Sequence, residues 1–243
     1  MKRFLGMLAL AGLLLSTVLQ AQEKSTLSTY RVSPKPGKDS ALKKALADHV
    51  AKFHTGNWKR RVFSVLSGPD EGSYQLNEGP NSWTTVEGRQ DISEEHTRDY
   101  ETNIMPLVEK STPNAYLLLR REFSTDSVSN PFKKALLRHF YTKPGRSLRL
   151  MEALANWKKV WEKLGMKVTV WSSFYSGEPQ WVVASRLQKG FVDLEQPMAK
   201  LLASTYDEIA GPGAYGRYLD DLGQNISRID EEVIELLPEL SSK

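Results

Sequence analysis

Lys35-Pro36-Gly37-Lys38 returns as Lys143-Pro144-Gly145-Arg146, 108 positions further on. The same offset carries Leu42 onto Leu150, Leu46 onto Leu154, His49 onto Trp157 and Phe53 onto Trp161, then Trp83 onto Phe191 and Val86 onto Leu194. A pattern repeated at one interval restricts the chain to a duplicated unit, in which each copy faces the same packing problem. The length suits two small domains or one core built from two related halves.

Each copy opens alike. Residues 29–33 alternate apolar and polar and predict a strand. Pro34, Pro36 and Gly37 end it, because Pro cannot continue a ladder and Gly permits the turn. Asp39 or Ser40 is placed to cap a helix whose apolar stripe is Leu42, Leu46, Val50 and Phe53. A strand over 61–66, the turn Gly68-Pro69-Asp70-Glu71-Gly72 and a returning strand over 73–76 follow. Gly79-Pro80-Asn81-Ser82 then leads into Trp83 and Val86. Ser93, with Glu94 and Glu95, starts a helix predicted over 92–109, and residues 115–123 are β-rich. The order is β-α-β-β-α-β.

Residues 124–130 are polar and Ser-rich, a linker. The order then begins again with strands over 136–142, 167–175 and 180–186, and a helix marked by Leu150, Leu154, Trp157, Trp161 and Leu164. Pro197 opens a second helix at a position where its missing N–H does no harm. Gly211-Pro212-Gly213 interrupts it, and residues 214–222 add further helical turns. Residues 233–237 suit a last strand, with a helix as the alternative.

The N-terminus has a separate character. Lys2-Arg3, an apolar run over 4–15 and a small residue at Ala21 form the pattern of a secretory signal peptide cleaved after Ala21. Its apolar core is shorter than the ~20 residues that span a bilayer. The expected divisions are therefore a leader over 1–21 and repeats over 22–125 and 126–243, in a periplasmic or secreted protein. The sequence contains no Cys, which excludes lipid attachment through a thiol, disulfides and thiolate metal sites. Loss of the leader leaves 31 basic against 29 acidic residues. That near-balance, without an aromatic-interleaved basic face, predicts no nucleic-acid partner. No later stretch would cross a membrane.

Two tandem β-α-β-β-α-β units, each opening with a strand, Lys-Pro-Gly-(Lys/Arg) and an amphipathic helix, resemble the dimeric α+β barrel superfamily. The NIPSNAP-like and antibiotic-biosynthesis-monooxygenase-like branches are the most similar in architecture, over residues 27–240. The fold class that the resemblance implies is α+β: two tandem ferredoxin-like units packed sheet to sheet, with one chain supplying what two usually supply. The physical need is clear, since a four-stranded sheet with helices on one side must cover its other apolar face.

Strand alternation then sorts the residues. With the more apolar set of the first strands on the helices, Arg31, His139 and Tyr141 point between the sheets, joined by Trp171 and Tyr175. These five are the candidate ligand-binding residues, an aromatic cleft with a few polar groups. Inter-sheet core is the competing reading. His49, His54, His96 and His139 lack metal-ligand spacing, and no H-E-x-x-H run occurs, so neither a metal nor a cofactor is expected. His49 occupies the core position that Trp157 holds in the second half. Glu94-Glu95 and Glu231-Glu232 read as surface charge pairs. No phosphate loop, dinucleotide fingerprint or G-x-S-x-G run is present. The expected function is a small-ligand-binding or structural module with an inter-sheet pocket. The alternative, which the resemblance supplies, is an oxygenase-like or haem-dependent enzyme, with His139 as a ligand to iron. The expected partner is a small molecule, and the oligomeric state is left open.

Overall fold

The two Lys-Pro-Gly turns are built alike. The computed structural model describes residues 24–89, 92–128, 132–195 and 198–243. The leader over 1–21 and the helix-opening Pro197 lie outside those residues. Strand β1 (Thr26–Pro34) runs into helix α1 (Asp39–Phe53), and strand β6 (Lys134–Thr142) runs into helix α4 (Ser147–Lys163). Between them, Gly37 and Gly145 take φ values of 72° and 73°, a left-handed backbone open to glycine at little cost. Lys38 N–H donates to the Lys35 carbonyl at 2.9 Å, and Arg146 N–H to the Lys143 carbonyl at 3.0 Å. Neither helix has a side-chain N-cap. Asp39, expected as a cap, instead accepts a hydrogen bond from the Tyr74 hydroxyl and pairs with Lys43 at 2.9 Å.

The remaining elements are β2 (Arg60–Val65), β3 (Tyr74–Asn81), short helices α2 (Trp83–Glu87) and α3 (Glu94–Asp99), β4 (Val108–Ser111), β5 (Ala115–Leu119), β7 (Val168–Ser173), β8 (Gln180–Leu187), α5 (Met198–Ala210), α6 (Ala214–Asn225) and β9 (Ile226–Leu236). The helix predicted over 92–109 is broken. After α3 come a π turn (Tyr100–Ile104), a 3-10 turn (Met105–Leu107) and β4. Pro106 lies in that 3-10 turn, where a regular helix would need the N–H that it lacks. The segment 233–237, with its two readings, is strand as far as Leu236, and the strand starts earlier, at Ile226.

Among the described residues there is one sheet of nine strands in the order β3-β2-β9-β6-β8-β7-β5-β1-β4, and a further β3–β1 pairing closes it. Every strand pairing is antiparallel. β5 and β4 share one edge of β1, β5 along Thr26–Thr29 and β4 along Val32–Pro34. The fold is thus mixed α+β, a closed antiparallel barrel with helices outside. Two seams join the halves, β2 to β9 and β5 to β7.

Three cores follow from the alternation of side chains. Leu42, Leu46, Val50 and Ile104 pack with Val32, Val62 and Leu76 on the outer side of the first-half strands. Leu150, Leu154, Trp157 and Trp161 pack with Phe140, Val170 and Val183 outside the second-half strands, under Tyr206 and Tyr218 of α5 and α6. The third fills the barrel, and its buried members come from strands of both halves, among them Leu27, Phe63, Leu117, Leu137, Trp171 and Ile234.

Candidate functional site

Alternation along β1 places Tyr30 and Val32 with the α1 core, whereas Leu27 lies in the barrel core. Arg31 takes the barrel side as well. There it meets His139 and Tyr141 from β6 around a cavity of about 280 Å³, with Asp70, Gln180 and Glu232 on the same wall. Gln75, Leu117, Leu137 and Val182 line both this cavity and a smaller apolar one of about 80 Å³ deeper among the barrel core residues. The barrel is therefore polar toward one end and apolar beyond.

The polar end is organised by one carboxylate. Glu232 is only 3% exposed and accepts from Arg31 Nη1 at 2.8 Å and also from Nη2. This two-pronged geometry matches a guanidinium to a carboxylate. His139 Nε2 lies 2.9 Å from the same carboxylate, and Nδ1 lies 3.0 Å from the Gln180 side-chain oxygen. Arg31 also donates to Asp70 at 3.0 Å and to Gln75 at 2.7 Å. Burial pushes Glu232 upward, but hydrogen bonds from His139 and Arg31 outweigh it and hold the carboxyl at about 2. Burial likewise pulls Arg31 down, and Glu232 and Asp70 carry it above its ordinary value. Arg31 belongs to the first half of the chain, and Glu232 and His139 to the second, so the cluster ties the halves together from inside.

Tyr141 lies nearly parallel to His139, with ring centres 6.4 Å apart, and the Arg228 guanidinium sits 3.9 Å from the Tyr141 ring centre. Arg228 is itself paired with Asp230 at 3.0 Å. Both nitrogens of His139 and both oxygens of Glu232 are already engaged, so neither is a free base. What the wall offers an incoming molecule is an aromatic face, amides and charged groups that are each already paired, Glu232 and Asp70 with Arg31 and Asp230 with Arg228.

Of the five residues expected here, Arg31, His139 and Tyr141 are brought together. Trp171 is also inside the barrel, but it lines the deeper apolar cavity and donates to Thr169 Oγ1 at 3.1 Å. Tyr175 is not in the pocket. It lies beyond the end of β7, is 69% exposed and meets Trp83 edge-on. Glu232 was missed, because Glu231-Glu232 reads as a surface pair. Only Glu231 is on the surface, paired with Arg138, and strand alternation turns its neighbour inward. The signal available was parity, since Glu232 stands two residues before the apolar Ile234 and so shares its face. Asp70, a turn residue by sequence, also reaches Arg31 with its carboxylate at 3.0 Å.

No family model matches the sequence, and no curated protein matches it. Solved structures do. A monooxygenase-like protein of Fusobacterium nucleatum subsp. nucleatum superposes with a TM-score of 0.56 at 12% identity, covering 87% of this chain and 92% of its own. An anthrone oxidase-like protein gives 0.56 at 12% identity, with 89% and 93% covered. A chlorite dismutase variant of Candidatus Nitrospira defluvii gives 0.52 at 8% identity, with 90% and 94% covered. At such identities the likeness is one of fold, and it places this chain among the α+β barrels.

Proposed function

We propose that this chain is a small-ligand-binding protein whose ligand occupies the polar end of the barrel. We further propose that the barrel is two tandem ferredoxin-like units, 22–125 and 126–243, paired within one chain in the manner of the dimeric α+β barrel superfamily. The observation that carries the binding reading is the cavity bounded by Arg31, His139, Tyr141 and Glu232, a concave site with a few convergent polar groups over an apolar floor. Its internally paired charges and small volume favour a compact polar molecule bearing both donors and acceptors, stacked on Tyr141. Export with cleavage after Ala21 is part of this reading, and the mature chain would then begin at Gln22.

Native mass spectrometry of the protein recovered from the producing cells tests the proposal. A bound mass of a few hundred daltons or less that disappears in Tyr141→Ala supports it. An apo mass throughout, with no thermal shift from any member of a polar metabolite panel, overturns it. Sequencing the N-terminus in the same preparation tests the leader.

An oxygenase-like enzyme of the same barrel type is the second reading, favoured by the monooxygenase-like and anthrone oxidase-like fold neighbours. Haem held by His139 fits this geometry poorly, because Glu232 and Gln180 engage both ring nitrogens and leave none for an axial bond to iron. The expected optical spectrum after growth in haem-replete cells has no Soret band, and a Soret band would reverse that statement.

A further inference from the structure

Three of the four histidines meet on the far side of the first-half strands, away from the barrel cavity. His49 is on α1, His54 follows it directly, and His96 comes from α3, its backbone N–H held at 3.0 Å by the Ser93 hydroxyl that caps that helix. One nitrogen from each lies within 4.8 Å of the others. The ring centres are 4.8 to 5.4 Å apart. His49 and His54 are 1% and 0% exposed.

The partners of the outer nitrogens fix which way the lone pairs point. His49 Nδ1 lies 2.7 Å from an Asp99 carboxylate oxygen, and His54 Nδ1 lies 3.1 Å from the Trp58 carbonyl and 3.2 Å from Glu78. Carbonyls and carboxylates accept, so both Nδ1 atoms carry hydrogen and both Nε2 atoms carry lone pairs. Those two Nε2 atoms face each other at 3.4 Å. Two facing lone pairs repel unless an electrophile sits between them. Both rings are buried away from water, which disfavours a charged proton between them. Two imidazole nitrogens on one tetrahedral zinc, each at 2.0–2.1 Å, stand about 3.3 Å apart.

We propose that His49, His54 and His96 bind one divalent first-row transition ion, with Asp99, Glu78 and the Trp58 carbonyl orienting the first two rings. Imidazole-only donors suit zinc, copper, nickel or iron rather than magnesium or calcium. A carboxylate or carbonyl behind each ligating ring is the usual support of such a site. His96 closes the set by a small side-chain shift. It also lines a cavity of about 440 Å³ with Tyr30, Arg60 and Tyr100, so the fourth position is left to water or a small anion. Three protein ligands beside a cavity is the open form of a metal site, not the closed structural form.

The experiment titrates chelator-stripped full-length protein with zinc against a chromophoric chelator, and in parallel with cobalt(II), whose visible bands report coordination number. One equivalent of zinc and intense four- or five-coordinate cobalt bands are expected. Affinity should fall at least tenfold in His96→Gln and about 10- to 100-fold in Asp99→Asn. His96 lies less deeply than its partners, so His96→Gln should keep the apo melting temperature and remain decisive even where His49→Gln fails to fold. Substoichiometric zinc with octahedral cobalt, or undiminished binding in His96→Gln, overturns the proposal. Neither result bears on the barrel cavity, whose ligand is read by mass and by Tyr141→Ala.

Discussion

Under α4, Trp157 meets Tyr206, Tyr215 and Tyr218 with ring centres 4.8 to 6.2 Å away. At the matching position under α1 stands His49, surrounded by Phe53, His54, His96 and Tyr100 at 4.8 to 5.7 Å. The turn before each helix and the leucines of each stripe agree, and only the rings differ. The indole–phenol cluster is stabilised chiefly by burial and ring contacts, with the Tyr206 hydroxyl hydrogen-bonded to Asn156. An imidazole cluster buries nitrogens that need partners, and Asp99, Glu78 and Trp58 are positioned to provide them. The two strand–turn–helix stretches thus share their turn and aliphatic packing, while one sets imidazoles where the other sets an indole and phenols.

The comparison can be broken most forcefully at the rings. Trp157→Ala should cost about 3–5 kcal/mol in denaturant unfolding, the range for large aromatic truncations in a core. A loss below about 1 kcal/mol would mean that the aromatic cluster is not core. The leucines come next. Leu46 and Leu154 are 0% and 1% exposed, so Leu46→Ala and Leu154→Ala should each cost about 2–5 kcal/mol. Values differing by more than about 2 kcal/mol would show that the two stripes are not equivalent.

Acid sharpens the comparison at the contact between the halves. The Glu232 carboxyl is lowered from 4.5 to about 2 in the folded chain. Its stabilisation is complete above about pH 4.5 and is lost as pH falls toward 2, on the order of 3 kcal/mol in all. Urea midpoints measured between pH 6 and pH 2.5 should fall less steeply in Glu232→Gln than in the parent, and equal slopes would reject the assignment. The smallest effects belong to the turns. A Cβ at Gly37 or Gly145 meets nothing within 4 Å, so Gly37→Ala and Gly145→Ala should each cost only the left-handed backbone penalty, about 1–2 kcal/mol. Unequal costs would break the equivalence of the two turns.

Much of this was legible in the chain. The repeat marks both strand–turn–helix openings, and alternation alone brings Arg31, His139 and Tyr141 to one surface. Strand length was not legible. β9 begins with Ile226-Ser-Arg, where polar residues hide the alternation, so Glu232 looked solvent-facing. β7 stops at Ser173, which strands Tyr175 outside although it shares a parity with Trp171. The histidine cluster has no local signature at all. His54 and His96 are brought together by the return of the chain through β2, β3 and α2, and only His49 carried a hint, as the odd residue at a position its twin fills with tryptophan.

The barrel closes on two seams. Two residue pairs join β5 to β7 and three join β2 to β9, and backbone hydrogen bonds such as Arg120 N–H to the Val170 carbonyl and Leu237 N–H to the Val62 carbonyl continue them. Severed from its sibling, either half would carry two naked strand borders, each a template for any extended segment that drifts past. Fragments made separately should therefore prove sticky alone and soluble when mixed. A chain opened at both seams has a ready route to exchanging halves with a neighbour.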